Sequence, residues 1–223
     1  MNRRTARSGS FHHRSGREPI TFMPSTSQRL PPPVRGCALC ASLTLRAYVR
    51  DTRGVQLWLL RHAKSSWSDP GLPDEDRPLA ARGEKAADRM RDYIAAEGLE
   101  PQLVLCSSAL RARQTLARVL PALGTELQVH IEPALYTFEA DVLLDRLGRI
   151  SSDVISMLLV GHNPAMQGLA ARVADRGGAL PDVLRKYPTA GLAETTFGDG
   201  TWDSLAERPG ELVRFIAPRD LTE

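Results

Sequence analysis

The chain has 223 residues, 42% of them hydrophobic and 25% charged, which suits one medium α/β domain with or without a tail. Its net charge of +3 is unevenly spread: residues 1–50 carry nine Arg and one acid (Glu18), whereas the rest carries 20 bases and 25 acids. A mildly acidic body argues against a nucleic-acid surface, and no apolar run approaches the ~20 residues a membrane helix needs.

Residues 1–50 are rich in Arg, Ser and Pro, with Pro31-Pro32-Pro33 at the centre and no sustained period. They read as a disordered basic tail, leaving residues 51–223 as the domain. The tail has the composition of an organelle transit peptide, and equally of sequence upstream of a later start. A cytoplasmic body is expected, with organelle import left open. Cys37 and Cys40 form a lone C-x-x-C in this stretch, and Cys106 stands apart. An odd, low cysteine count does not build a disulfide scaffold, and a single pair without Cys or His partners does not make a zinc site. No metal and no organic cofactor is expected.

From Val55 the pattern becomes regular. Val55–Leu60 is strand-like. Leu79–Ala96 contains a helix with Ala86, Ala87, Met90, Tyr93 and Ile94 on one face, ended by Gly98. Leu103–Cys106 is a second strand, Ala109–Leu120 a helix stopped by Pro121, and Leu127–Ile131 a third strand. Ala140–Ile150 is a helix with Val142, Leu143, Leu144 and Leu147 inward. Ile155–Val160 is almost wholly apolar and so reads as a central strand. Met166–Ala174 is helical, residues 175–191 form a polar connection, and Leu192–Phe197 and Leu212–Ala217 are two last strands. Strands alternating with helices predict a three-layer α/β/α sandwich on a mostly parallel sheet. Ligands of such folds bind beyond the carboxyl ends of the strands.

Three predicted strands end in unusual polar segments. The first runs into Arg61-His62-Ala63-Lys64, the second into Ser107-Ser108-Ala109-Leu110-Arg111, and the fourth into Gly161-His162-Asn163-Pro164. Two histidines and two arginines would therefore meet at one sheet edge. That set suits a phosphoryl group. Arginine offers a planar, permanently charged fork for its oxygens. Helix starts add backbone donors, with Asn163 read as N-cap before Pro164 at N1, and Ser107 or Ser108 as a cap for the helix of Arg111. A neutral imidazole can attack phosphorus without a separate base, and a second, protonated one would steady the shifting charge.

These segments resemble the motifs of the histidine phosphatase superfamily, whose fold is phosphoglycerate mutase-like. Leu60-Arg61-His62-Ala63-Lys64 is similar to the Arg-His signature, with Ala63 where many members carry Gly. Ser107-Ser108 through Leu110-Arg111-Ala112-Arg113-Gln114-Thr115 resembles the second arginine motif, and Gly161-His162-Asn163-Pro164 the second histidine motif. Arg77-Pro78-Leu79 with Arg82-Gly83 matches the bridge after the first strand. The short length and Lys64-Ser65-Ser66-Trp67 resemble the SixA-type phosphohistidine phosphatase subgroup. The resemblance implies His62 as the nucleophile that becomes phosphohistidine, and Arg61, Arg111 and His162 as the phosphate clamp.

The proton donor is not picked out by any motif. Glu132, Glu139 and Asp141 follow the third strand, and Glu139 is favoured. Lys64, Ser107 and Asn163 are further candidates for substrate contact. Arg77 and Arg82 read as structural partners of the acidic loop Asp74-Glu75-Asp76, and Trp67 as a packing residue. The expected partner is a phosphorylated protein, with a small phosphorylated metabolite or nucleotide as the alternative, and no nucleic-acid polymer or membrane. A non-catalytic phosphate sensor is the reading from another class. Oligomeric state is not legible.

Overall fold

The structure, a computed structural model, describes residues 54–221. The readings of residues 1–50 as a tail and of Cys37 and Cys40 as idle thiols lie outside the described residues. The elements in chain order are β1 (Gln56–Arg61), α1 (Ala81–Glu97), β2 (Leu103–Ser107), α2 (Leu110–Val119), β3 (Gln128–Glu132), α3 (Ala140–Leu147) and β4 (Ser156–Gly161). Then follow α4 (Ala165–Val173), β5 (Ala174–Arg176), α5 (Leu180–Arg185), β6 (Leu192–Thr196) and β7 (Gly210–Ile216).

The strands form one sheet in the order β3-β2-β4-β1-β6-β7-β5. β1 to β4 run parallel to one another, and β6 alone is opposed, pairing antiparallel with both β1 and β7. β5 runs parallel to β7. The sheet is therefore mixed by pairing and mostly parallel by direction. β4 lies between β2 and β1 with all six residues buried, as its unbroken apolar run demands.

The two-residue period of the strands divides the core into two layers. Leu57, Leu59, Leu103, Leu105, Met157 and Leu159 face one side, where they meet Leu143, Leu147, Met166, Leu169 and Val183 of α3, α4 and α5. Trp58, Leu60, Val104, Cys106, Leu158 and Val160 face the other, against Met90, Ile94, Leu116 and Val119 of α1 and α2. Each fully buried Leu of this kind contributes ~1.5–3 kcal/mol of transfer free energy. Helices on both faces complete the expected three layers.

Local signals explain several boundaries. α1 stops at Gly98, whose φ of 64° and ψ of 47° is the left-handed conformation that lacks a Cβ penalty only for glycine. The amide of Leu99 then closes onto the Ile94 carbonyl at 3.2 Å. Gly83 has a different reason. A Cβ there would lie 2.1 Å from the Lys64 carbonyl oxygen, so only glycine lets the first turn of α1 sit against the segment that follows β1.

Three expectations need correction. In α3, Leu143 and Leu147 are buried and Leu144 packs against them, but Val142 is 40% exposed because it falls outside that stripe. Residues 175–191 are not a plain connection: they hold part of β5 and all of α5. Asn163 is not the cap of α4. Pro164 occupies that position, and the Asn163 side chain turns to Gln167 Oε1 at 3.2 Å and the Tyr187 carbonyl at 3.4 Å. Among the described residues no helix is long and apolar enough to cross a membrane.

Candidate active site

The parallel register of β1 and β4 sets the site. Arg61 stands opposite Gly161, so the next rung places His62 beside His162. Their ring centroids are 4.8 Å apart, which matches the spacing of neighbouring strands. The amide of His62 still donates to the Gly161 carbonyl at 3.0 Å, and that of Arg61 to the Gly191 carbonyl at 3.0 Å. Both histidines are thus fixed by the sheet itself rather than by loops.

His62 is 7% exposed, and its Nδ1 lies 2.7 Å from the Ala63 carbonyl oxygen. A carbonyl only accepts, so Nδ1 carries the proton and donates. The lone pair of the neutral ring is thereby left on Nε2. The amide of Ala63 donates to Thr115 Oγ1 at 2.9 Å, and that hydroxyl donates to the Arg111 carbonyl at 2.6 Å. The Thr115 side chain, one turn into α2, therefore ties the His62 segment to the backbone of Arg111.

His162 is 1% exposed. Its Nε2 meets Ser107 Oγ at 2.7 Å, and its Nδ1 is buried without a hydrogen-bond partner among the described residues. Arg61 donates from Nη1 to the Tyr187 carbonyl at 2.5 Å, while its Nε is buried and unpartnered. Arg111 is 4% exposed and donates from Nη2 to Asp74 Oδ2 at 2.8 Å and from Nη1 to the Asp74 carbonyl. Ser107 does not cap α2, since Ala109 holds that position. The Ser107 hydroxyl instead accepts from the Ala109 amide at 3.3 Å while it meets His162. Ser108 donates to Glu75 Oε1. Lys64 follows the His62 segment and is half-buried.

Burial first, and then the positive charge of Arg111 and Arg61, pushes His62 down to about 4, although its bond to Ala63 opposes the shift. His162 is pushed down to about 3 by burial and by its neighbours His62 and Arg111. The lowered values make the neutral form the resident one above those pH values. In an NMR titration of the ligand-free protein, both rings are expected to remain neutral at pH 5, with His62 in the Nδ1–H tautomer. A midpoint near 6.5 for either ring would contradict this electrostatic picture. A phosphoryl dianion should move His162 the opposite way.

The acids fall out differently from the sequence reading. Glu132 is gripped by Arg146 at 2.7 and 2.8 Å, and Asp141 is paired with Arg172. Glu139 is exposed, immediately before α3, and its amide donates to Thr137 Oγ1 at 3.1 Å. The acid that reaches Arg111 is Asp74, which also accepts from the Tyr136 hydroxyl at 2.7 Å. Arg77 does approach Asp74, at 3.7 Å, but its guanidinium lies 3.6 Å over the ring of Trp67. Trp67 is 65% exposed, so it is a stacking surface rather than a packed residue. Arg82 is exposed.

Tyr136 and Phe138 were missed by the sequence reading. Their rings lie 5.2 and 6.1 Å from His162. The signal was present, because Tyr136 follows the carboxyl end of β3 just as the other site segments follow theirs.

Known proteins resemble this chain in sequence and in fold. Residues 57–146 match the model of the histidine phosphatase superfamily, branch 1. An uncharacterized protein of Mycobacterium tuberculosis is 34% identical over 164 residues, covering 72% of this chain and all of the relative. The chain belongs to the histidine phosphatase superfamily. On that membership it is a phosphatase. Within the superfamily it is similar to a structure carrying the name phosphohistidine phosphatase SixA, from Nakamurella multipartitia. The identity is 28% and the TM-score 0.64, over 75% of this chain and 99% of that one. The fold is shared more widely. A structure named for an alpha-ribazole-5'-P phosphatase from Escherichia coli is 20% identical with a TM-score of 0.55, over 76% of this chain and all of the other.

Proposed function

We propose that the chain hydrolyses phosphohistidine on a protein through a covalent phosphohistidine intermediate at Nε2 of His62. The observation that carries the route is the bond from His62 Nδ1 to the Ala63 carbonyl, which leaves Nε2 as the nucleophilic atom beside His162. In the first step the Nε2 lone pair forms a bond to phosphorus as the bond from phosphorus to the leaving nitrogen breaks. The departing imidazole keeps that electron pair and takes a proton from Glu139, and the attacking water of the second step gives one back. Water then attacks phosphorus, the P–N bond to His62 breaks, and inorganic phosphate leaves with Nε2 restored.

Arg61, Arg111 and His162 hold the phosphoryl oxygens in this scheme. The unpartnered Arg61 Nε and His162 Nδ1 supply donors for them. Arg61 and Arg111, the latter shared with the Asp74 carboxylate, are the cations of the scheme, and no step of it uses a metal ion. Glu139 is the proton donor to the leaving nitrogen in this scheme. A phosphohistidine leaving group is labile enough to need less help than an alkoxide.

The protein substrate is supported by the similarity to SixA-named structures and by the aromatic rim. Phe138 is 48% exposed near His162, and Trp67 offers a second exposed ring across the acidic turn. Exposed large rings beside a site suit a protein surface better than a solvated sugar. The runner-up substrate is a small phosphorylated metabolite or nucleotide, a reading supported by the alpha-ribazole-5'-P phosphatase that shares the fold.

Rates on a phosphohistidine-bearing protein, a sugar phosphate and a nucleotide should be compared side by side. The highest kcat/KM is expected on the protein. A clear preference for either small molecule would install the runner-up. Phosphate binding without turnover of any of the three would favour a sensor.

A further inference from the structure

A buried guanidinium is a permanent cation in a medium of low dielectric, and it needs a counter-charge that also fixes its direction. Arg111 is such a group, and the acidic turn after β1 supplies the partner. Asp74 offers two acceptors to it: Oδ2 takes Nη2 at 2.8 Å, and its own carbonyl takes Nη1. A guanidinium has five N–H groups, so these bonds leave donors for an anion while defining the plane of the fork.

Asp74 is itself held from three sides. It begins a short 3-10 turn, Asp74–Asp76, whose next residue, Glu75, accepts from Ser108 just before α2. Arg77, stacked on Trp67, stands 3.7 Å from its other carboxylate oxygen. The Tyr136 hydroxyl donates to Oδ2 at 2.7 Å. Tyr136 then closes the circuit. Its ring lies edge-on to His162 at 5.2 Å, and the Arg111 guanidinium carbon is 5.7 Å from the centre of the same ring. Arg111, Asp74 and Tyr136 thus form a closed loop of contacts, and His162 joins it through the Tyr136 ring.

We infer that Asp74 and Tyr136 are positioning residues that lock Arg111 and His162 into one phosphate clamp. The inference rests on the proposed roles of those two clamp residues. Asp74 works through Arg111, and Tyr136 through Asp74 and the His162 ring. The contrary reading is that the Asp74 carboxylate competes with the phosphoryl group for Arg111. The two readings predict opposite changes in anion affinity.

The test uses the full chain, p-nitrophenyl phosphate as substrate and inorganic phosphate as competitive inhibitor. Asp74→Asn should lower kcat by roughly ten- to a hundredfold, the loss seen when groups orienting a first layer of ligands are removed. Inhibition by inorganic phosphate should weaken with it. Tyr136→Phe keeps the ring and loses the hydroxyl, so a smaller loss in the same direction is expected. In an Arg111→Ala background, Asp74→Asn should change kcat by less than about twofold, because the residue it orients is gone. A merely structural acid would show its full loss in both backgrounds.

The inference is overturned by near wild-type kcat in Asp74→Asn, by tighter phosphate inhibition, or by additive losses with Arg111→Ala. If Asp74→Asn does not fold, Tyr136→Phe and its combination with Arg111→Ala decide the matter by the same criteria. His62→Ala in the same assay separates the two levels. An inactive His62→Ala beside a normal Asp74→Asn defeats this inference alone, whereas an active His62→Ala defeats the proposed function.

Discussion

His62→Ala is expected to abolish turnover, with a loss of at least about 10⁴-fold in kcat, as removal of a covalent nucleophile typically brings. The neighbouring groups cannot substitute for it. His162 is proposed to hold the phosphoryl oxygens rather than attack, Ser107 and Ser108 are engaged by His162 and Glu75, and Cys106 is fully buried with its thiol pushed up to about 12 by burial. The fold should survive, because His62 is placed by backbone bonds to Gly161 and by Thr115 acting on Ala63, neither of which needs the imidazole. His62→Asn is the sharper control. Its amide can still donate to the Ala63 carbonyl but offers no ring nitrogen, so it should be equally inactive. Steady-state kinetics beside a urea unfolding curve read both expectations. Activity within tenfold of wild type in either variant would remove His62 from the chemistry.

Arg111→Ala carries the second large effect. Removing one preorganised donor to developing charge typically costs ~3–4 kcal/mol, or about 10²–10³ in rate. Here a full charge is lost as well as a donor. The stability cost is limited by Asp74, which is half-exposed and can be hydrated once its partner goes. Arg111→Lys should fall in between, since an ammonium keeps the charge but cannot span both the Asp74 carbonyl and Oδ2. A kcat/KM of Arg111→Ala within threefold of wild type would contradict a clamp role.

Much of this was legible because sheets impose strict geometry. The two-residue period of Leu57-Trp58-Leu59-Leu60 separates the two cores, and the apolar run of β4 announces a central strand. Parallel neighbours whose ends carry Arg61-His62 and Gly161-His162 bring the histidines together without any help from loops. β5 was missed because Ala174-Asp175-Arg176 has no apolar run and pairs at the sheet's far edge.

The acids were harder. Which carboxylate reaches Arg111 depends on the path of a loop, and Glu132 and Asp141 are taken up by Arg146 and Arg172 instead. Asp74 lies 37 residues before Arg111 in the chain, with no period or spacing to connect them. Asn163 shows the same limit at short range. A good cap residue before proline found better partners in Gln167 and the Tyr187 carbonyl.

The central claim is tested most directly by trapping the phosphoenzyme. Wild-type protein quenched during turnover of a ³²P-labelled phosphohistidine protein should carry alkali-stable, acid-labile label, mapped to the peptide of His62 and to Nε2 of its ring. Hydrolysis that proceeds with no such label, or with label on Nδ1 or another residue, would contradict the account.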